Sequence, residues 1–441
     1  MVDQTVKVGI GIGLASVVAT WFFKPCPKTA PYVPNPKVVS KVDVSACRAR
    51  WHQAIEKSCP KTGFSYLVIG AGFLGSRIIE ALLARGETNV RVFDCDATLS
   101  WASDPRVDFV SGDLCQDVGD GNNDSNSVVS DLQRACVGIH TIFLTAASIR
   151  FMDNMDFQWQ RSYKVNVVGT ENVLQACEKE GVRNLIFTST LQVNVPKTFD
   201  GTNTLLTEEM PYVTRTNATS HYAMSKAMAE KLVRDANSNG TRNGCLRTIC
   251  LRPGGLFGAS DKLIMEVLLK QDMYFFLGVP LVIDYVSVDN VVYAHLLGEA
   301  SLRRDRDDDN VNVNDTTGDG AAAVGGEAFY VSNEEPMSNN MFHQMIIYYA
   351  KTRFVLHAPP KPFRVLAFLN QVCSYILRSN MPDLGDLRYL TPSAMALMEL
   401  NTRIDPTNIQ NRLGYRPIYT VDEGVQLGVL EYKHNQRLLG N

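Results

Sequence analysis

The 441-residue sequence contains no C-x-x-C pair, no H-E-x-x-H, no dense run of basic residues and no internal repeat. Each absence removes a class of function. With no ligand spacing among ten cysteines and seven histidines, no metal is expected. Several thiols (Cys95, Cys115, Cys136, Cys245, Cys250) fall in or beside apparent strands, which reads as buried thiols in a reducing compartment and not as a disulfide framework. A formal charge of −3 without a basic stripe cannot neutralise phosphates, so no nucleic-acid partner is expected. Charged residues are 20% and hydrophobic ones 45%, which excludes extensive disorder. The length allows two or three domains, or one α/β domain with additions.

A full transmembrane span of roughly 20 apolar residues is also missing. The nearest approach is residues 8–23 (VGIGIGLASVVATWFF), uncharged and ending in aromatics suited to a membrane interface. No small-x-small cleavage site follows, so an uncleaved anchor over residues 1–24 is favoured over a signal peptide. Lys24, Lys28, Lys37, Lys41, Arg48 and Arg50 follow the run, whereas only Lys7, against Asp3, precedes it; the positive-inside rule leaves the body of the chain in the cytosol. Residues 25–62 read as a proline-rich linker with a short polar helix over 43–58.

From residue 63 to 300, apolar runs (YLVIG, VRVFD, VDFVSG, TIFLTAA, NLIFTST, TICLRPG) alternate with helical patterns. That alternation predicts an α/β fold, a Rossmann-type doubly wound parallel sheet covered on both faces. Two polar insertions, 119–127 and 301–326, lack the apolar content to pack and are expected as exposed, disordered loops. Residues 327–441 are expected to form a smaller C-terminal substrate-binding part.

In YLVIGAGFLGSRIIEALLARG, Gly70, Gly72 and Gly75 stand between a buried strand and an amphipathic helix. Gly70 permits the tight turn, Gly72 lets the backbone approach a pyrophosphate, and Gly75 allows close helix–strand packing; free amides at the helix start meet the negative charge. Phe73 and Leu74 complete the loop. Asp94, ending the second strand, can accept from ribose hydroxyls and repels a 2′-phosphate, so NAD is expected over NADP. Asp113 and Leu114, after the third strand, are candidates for the adenine pocket.

Tyr222-Ala-Met-Ser-Lys226 places a phenol and an ammonium on one helix face. A nearby cation favours the phenolate, so Tyr222 can act as a base and Lys226 can also hold the ribose. NLIFTSTLQV ends a buried strand on hydroxyls where ligands sit in open α/β sheets. Thr190 is chosen as the group that hydrogen-bonds a substrate oxygen, with Ser189 as the substitute. His221 is expected to be structural or exposed. Asn217-Ala-Thr is a formal glycosylation acceptor close to Tyr222; a glycan there would be awkward, which agrees with a cytosolic body.

These stretches, with YKVNVVGTENVLQAC, YAMSKAMAEKLVRDANSNG, LRTICLRPGGLFG, DYVSVDNVVYAHLLGEA, EAFYVSNEEP and RLGYRPIYTVDEGV, resemble the extended short-chain dehydrogenases from about Phe64 to Leu439. Within them they resemble the 3β-hydroxysteroid dehydrogenase family, most of all its decarboxylating sterol-4-alpha-carboxylate 3-dehydrogenases. The resemblance implies Thr190, Tyr222 and Lys226 as catalytic residues. It also implies Ala146 and Ala147 lining the cofactor, Asn166 supporting the active-site water or backbone, and Pro253 with Gly254 against the nicotinamide. It further implies a sterol or steroid substrate and attachment to the endoplasmic reticulum membrane, and it is compatible with a homodimer or association with other sterol-synthesis enzymes. Three alternatives stay open: a dehydrogenase/Δ5-isomerase, a nucleotide-sugar epimerase or reductase, and a dinucleotide-sensing scaffold without turnover. The family's hydrophobic attachment is often nearer the C-terminus, and residues 361–377 (KPFRVLAFLNQVCSYIL) read equally as an interfacial contact or a core helix.

Overall fold

The computed structural model describes residues 42–439, excluding 117–129, 151–152, 154, 203, 238–245, 262–264, 266–268, 270–272, 278–280, 310–322, 352–353, 359, 378–389 and 398–399. The expected anchor, residues 25–41 of the linker and the 119–127 loop lie outside the described residues. Among those described, no helix is long and apolar enough to cross a membrane.

Helix α1 (Val44–Ser58) is followed by β1 (Ser65–Ile69), α2 (Phe73–Ala84), β2 (Asn89–Asp94), β3 (Asp108–Ser111), α3 (Asp131–Cys136) and β4 (Thr141–Leu144). Helix α4 (Trp159–Tyr163) runs through a wider π-helical turn, Lys164–Val168, into α5 (Gly169–Glu180); β5 (Asn184–Thr188), α6 (His221–Asp235) and β6 (Arg247–Pro253) complete the alternation. Smaller strands β7 (Gly255–Phe257), β8 (Met273–Leu277), β9 (Val282–Ile283) and β10 (Tyr285–Ser287) precede α7 (Val288–Asp309) and β11 (Glu327–Val331). The chain continues with β12 (Met337–Ser338), α8 (Asn339–Ala350), β13 (Phe354–Ala358), α9 (Pro360–Leu377), α10 (Pro392–Leu397), α11 (Thr407–Leu413) and α12 (Val421–Leu439).

All six apolar runs become strands of one parallel sheet, joined by β11, in the order β11-β6-β5-β4-β1-β2-β3. Such strands carry continuous apolar sequence because both faces are covered. One face packs Ile78, Leu82, Val291 and Leu296; the other packs Leu132, Val173, Ala176 and Val233. The order reverses between β1 and β4, which opens a crevice at the carboxyl ends of those strands.

Three expectations are revised. The helix expected within a linker, α1, is part of the core: Trp51 is 2% exposed and donates from Nε1 to the Asp289 carbonyl at 3.0 Å, Arg48 pairs with Asp289 at 3.1 Å, and Tyr419 bonds the Cys47 carbonyl. Asp43 caps it through Ser45 and Ala46. The insertion 301–326 does not begin as a loop, because α7 continues through Asp309, with Arg303 paired to Glu299 one turn earlier at 2.6 Å; residues 310–322 lie outside the described residues. Finally, residue 327 does not start a separate part, since β11 adds the seventh strand beside β6.

Candidate active site

The glycine loop takes the form its spacing requires. Gly70 has φ +92°, and a Cβ there would stand 2.5 Å from the Ala146 backbone. A Cβ on Gly75 would lie 1.9 Å from the Gly70 carbonyl oxygen, so helix and strand meet only without side chains. At Gly72 nothing lies within 4 Å of an added Cβ. Gly72 N-caps α2 with no side-chain bond and no acidic residue in the first turn. Unsatisfied amides therefore face open space, as a pyrophosphate requires. Asp94 is oriented by the loop itself, accepting from Ala71 N–H at 2.6 Å and Asp96 N–H at 2.9 Å.

The crevice is a cleft of about 560 Å³. It is lined by Gly70, Gly72, Phe73, Leu74, Gly75, Asp94, Asp113, Leu114, Ala146, Ala147, Thr190, Tyr222, Lys226, Pro253 and Gly254. Tertiary folding thus brings together every expected site residue except Asn166. That side chain is 2% exposed and braces the site from behind: its Oδ1 accepts from Ser148 N–H at 2.8 Å, while Nδ2 donates to the Ser148 carbonyl and to Ser225 Oγ, at 3.2 and 2.9 Å. It sits in the π-helical turn, a local widening often found at functional sites.

Tyr222 and Lys226 are buried on one face of α6, whose start is capped by Ser220. Burial pushes the Tyr222 phenol up to about 12, opposed by the Thr190 hydroxyl. Burial also pushes the Lys226 ammonium down to about 7, opposed mainly by the Glu230 carboxylate. Lys226 Nζ donates to the Thr188 carbonyl at 2.6 Å and stands 3.9 Å from the centre of the Phe187 ring. In the ligand-free fold the group that opposes burial at Tyr222 is the Thr190 hydroxyl.

The two hydroxyls differ in partners. Both residues line the cleft, but Ser189 gives its hydroxyl to the buried Glu230 carboxylate, whereas the Thr190 hydroxyl opposes the burial of the Tyr222 phenol. Thr190 also caps the one-turn helix that follows, accepting from Gln192 N–H. His221 does not line the cleft, and its ring meets Trp159 edge-on at 5.4 Å.

Sequence reasoning missed Asp261 and Thr188, which line the cleft, and the buried Glu230–Arg252 pair beneath it. Thr188 Oγ1 lies 2.8 Å from His295 Nε2. The available signal for Glu230 was its spacing: in YAMSKAMAE it stands four residues beyond Lys226, on the face that carries both catalytic candidates.

The sequence model of the 3-beta hydroxysteroid dehydrogenase/isomerase family matches residues 67–353. A sterol-4-alpha-carboxylate 3-dehydrogenase, decarboxylating, of Mus musculus is 30% identical over 83% of this chain and 90% of its own. The 3 beta-hydroxysteroid dehydrogenase type 7 of the same species is 28% identical over 81% of this chain and 92% of its own. Among solved structures, the Thermus thermophilus UDP-glucose 4-epimerase in complex with NAD superimposes with a TM-score of 0.55 at 22% identity, covering 84% of this chain and 99% of that one. This last likeness is one of fold.

Proposed function

The chain belongs to the 3-beta hydroxysteroid dehydrogenase/isomerase family, oxidoreductases acting on CH–OH groups, and on that footing we propose that it oxidises the 3β-hydroxyl of a 4α-carboxysterol to the 3-ketone with NAD, followed by loss of carbon dioxide. The observation that carries the reading is that Thr190, Tyr222 and Lys226 line one cleft together with the uncapped glycine loop.

NAD, when bound along Gly70–Gly75 and Asp94, supplies the hydride acceptor. The chain's own residues do the rest. Thr190 donates to the substrate oxygen and Tyr222 accepts the hydroxyl proton. Lys226 holds the ribose, and with the positive charge of the oxidised cofactor it draws the phenol toward the phenolate. The resulting β-keto acid loses carbon dioxide to leave an enolate, whose oxygen lies where Thr190 and the reprotonated Tyr222 can donate to it. No metal is needed for that step.

A sterol substrate also fits a membrane-associated enzyme, and the expected anchor and a cytosolic body at the endoplasmic reticulum are part of this reading. Helix α9 supports it. Val365, Phe368, Leu369, Tyr375 and Ile376 lie on its outer side, and Ile376 is 71% exposed. The surrounding stretch, residues 336–382, contains no acidic residue but carries Lys351, Arg353, Lys361, Arg364 and Arg378, a composition suited to an anionic lipid surface.

The test is NADH formation together with carbon dioxide release from a 4α-carboxysterol, with Tyr222→Phe as control. Oxidation of other 3β-hydroxysterols but not of the 4α-carboxysterol would leave a dehydrogenase of a different sterol, and an unchanged rate in the variant would overturn the assignment of the base.

A further inference from the structure

Beneath the cleft lies a buried ion pair that takes no part in the steps above. Glu230 stands one helical turn beyond Lys226 and two beyond Tyr222, fully enclosed. Its Oε1 accepts from Arg252 at 2.6 Å and from the Tyr212 hydroxyl at 2.7 Å, and its Oε2 accepts from Ser189. Arg252 Nε reaches both oxygens at 3.1 Å, and its guanidinium lies between the rings of Tyr212 and Tyr330. A buried pair of this kind is at best neutral for stability against apolar residues of the same volume, so stability alone is a weak account of it. Its connections offer another. Ser189 precedes Thr190, Arg252 precedes Pro253 and Gly254, and Glu230 shares a helix with Tyr222 and Lys226. Three segments separated in sequence meet at one carboxylate.

The charges around it have a consistent sense. Burial works against the Glu230 charge, but Arg252 outweighs it, with Ser189 and Tyr212 adding hydrogen bonds, and the carboxyl is held below its usual range. Of the groups facing Lys226, Glu230 is the one that favours its ammonium most, followed by Cys250 of β6. The Cys250 thiol is pushed well above its ordinary value by burial and so is uncharged near neutrality. From β5 the lysine meets the Phe187 ring and the Thr188 carbonyl. Around Glu230 itself, Arg234 donates to the Tyr212 hydroxyl at 3.0 Å, and Glu208 accepts from Tyr330 N–H at 2.9 Å.

Resting on the dehydrogenase reading above, we propose that Glu230 is a positioning residue for alcohol oxidation: its carboxylate ties Thr190, Lys226 and Pro253 into one unit and faces Lys226 with the negative charge that keeps the ammonium in place. It touches neither substrate nor cofactor and acts through the groups it holds.

The test compares the full-length enzyme with Glu230→Gln and with the double variant Glu230→Gln, Arg252→Met. The double variant removes both buried charges and keeps the question open to refutation where the single variant, left with an unpaired guanidinium, does not fold. The titration of Lys226 is followed through the carbon-13 resonance of its Cε in lysine-labelled enzyme, assigned by Lys226→Arg, alongside kcat and KM at several pH values. The titration is expected to move down by about one pH unit, and kcat at pH 8 to fall roughly tenfold with KM for the alcohol little changed. A lysine that titrates at the same pH as in the unaltered enzyme, with kcat within twofold of it, would overturn the proposal, because a purely structural role lowers stability and leaves that resonance alone. The resonance requires no sterol. Failure of the unaltered enzyme to oxidise any sterol therefore counts against the substrate reading, and an unmoved resonance counts against Glu230.

Discussion

Replacing Thr190 by valine keeps the shape of the side chain and deletes one hydroxyl. Thr190 lines the cleft, and its hydroxyl opposes the burial that pushes the Tyr222 phenol up to about 12. In the transition state it would donate to an oxygen gaining negative charge. A hydrogen bond to a charged group is worth about 1.5–3 kcal/mol, and about 1.4 kcal/mol is a factor of ten in rate. The expected loss in kcat/KM is therefore roughly 10- to 100-fold, read from NADH absorbance with the alcohol substrate. The alkaline rise of the pH profile should also move upward, because Tyr222 loses the hydroxyl that opposes its burial. The lost cap on the following turn costs about 1 kcal/mol of stability, which a melting curve separates from the rate. Thr190→Ser restores the hydroxyl and should restore most of the activity. Ser189→Ala, which removes the hydroxyl bonded to Glu230, should cost no more than about fivefold. A Thr190→Val enzyme within threefold of the unaltered one, or a larger loss in Ser189→Ala, would refute the assignment.

Tyr222→Phe should lower kcat by about 10²- to 10⁴-fold while NADH still binds, checked by single-turnover kinetics and fluorescence titration. Gly75→Ala places a methyl 1.9 Å from the Gly70 carbonyl oxygen, so the loop must shift; NADH affinity should fall at least about tenfold by calorimetry, with the sheet intact by circular dichroism. Trp51→Ala should cost about 3–5 kcal/mol in denaturant unfolding, because the indole is buried and hydrogen-bonded to α7. Lys226 releases its proton near pH 7 in the ligand-free fold and near 10.4 when unfolded. Between those values the unfolded chain binds more protons, so stability should rise with pH by up to about 1.4 kcal/mol per unit, a slope that Lys226→Met should flatten in urea titrations at several pH values.

What the sequence determined by itself was local. The glycine spacing, the apolar runs and the i, i+4 pair of Tyr222 and Lys226 follow from backbone geometry with periods of 2 and 3.6 residues, and each could be placed on its element without knowing what lay opposite. The parallel sheet, the dinucleotide loop and the tyrosine–lysine pair were legible for that reason. Only the tertiary structure decided matters of partnership. Ser189 and Thr190 are adjacent hydroxyls on the same strand end, and what separates them is Glu230, 41 residues away. Asn166 was expected to support the active-site water or backbone, and which groups it holds, the Ser148 backbone and the Ser225 hydroxyl behind the cleft wall, is set by packing. Helix α1 looked like part of a polar linker because its apolar face is short; Asp289, 238 positions later, accepts its tryptophan and makes it core. Periodicity records which way a side chain points along its own element, but the energy of a buried hydroxyl, amide or carboxylate depends on which distant group completes its hydrogen bonds, and that is set only when the segments pack.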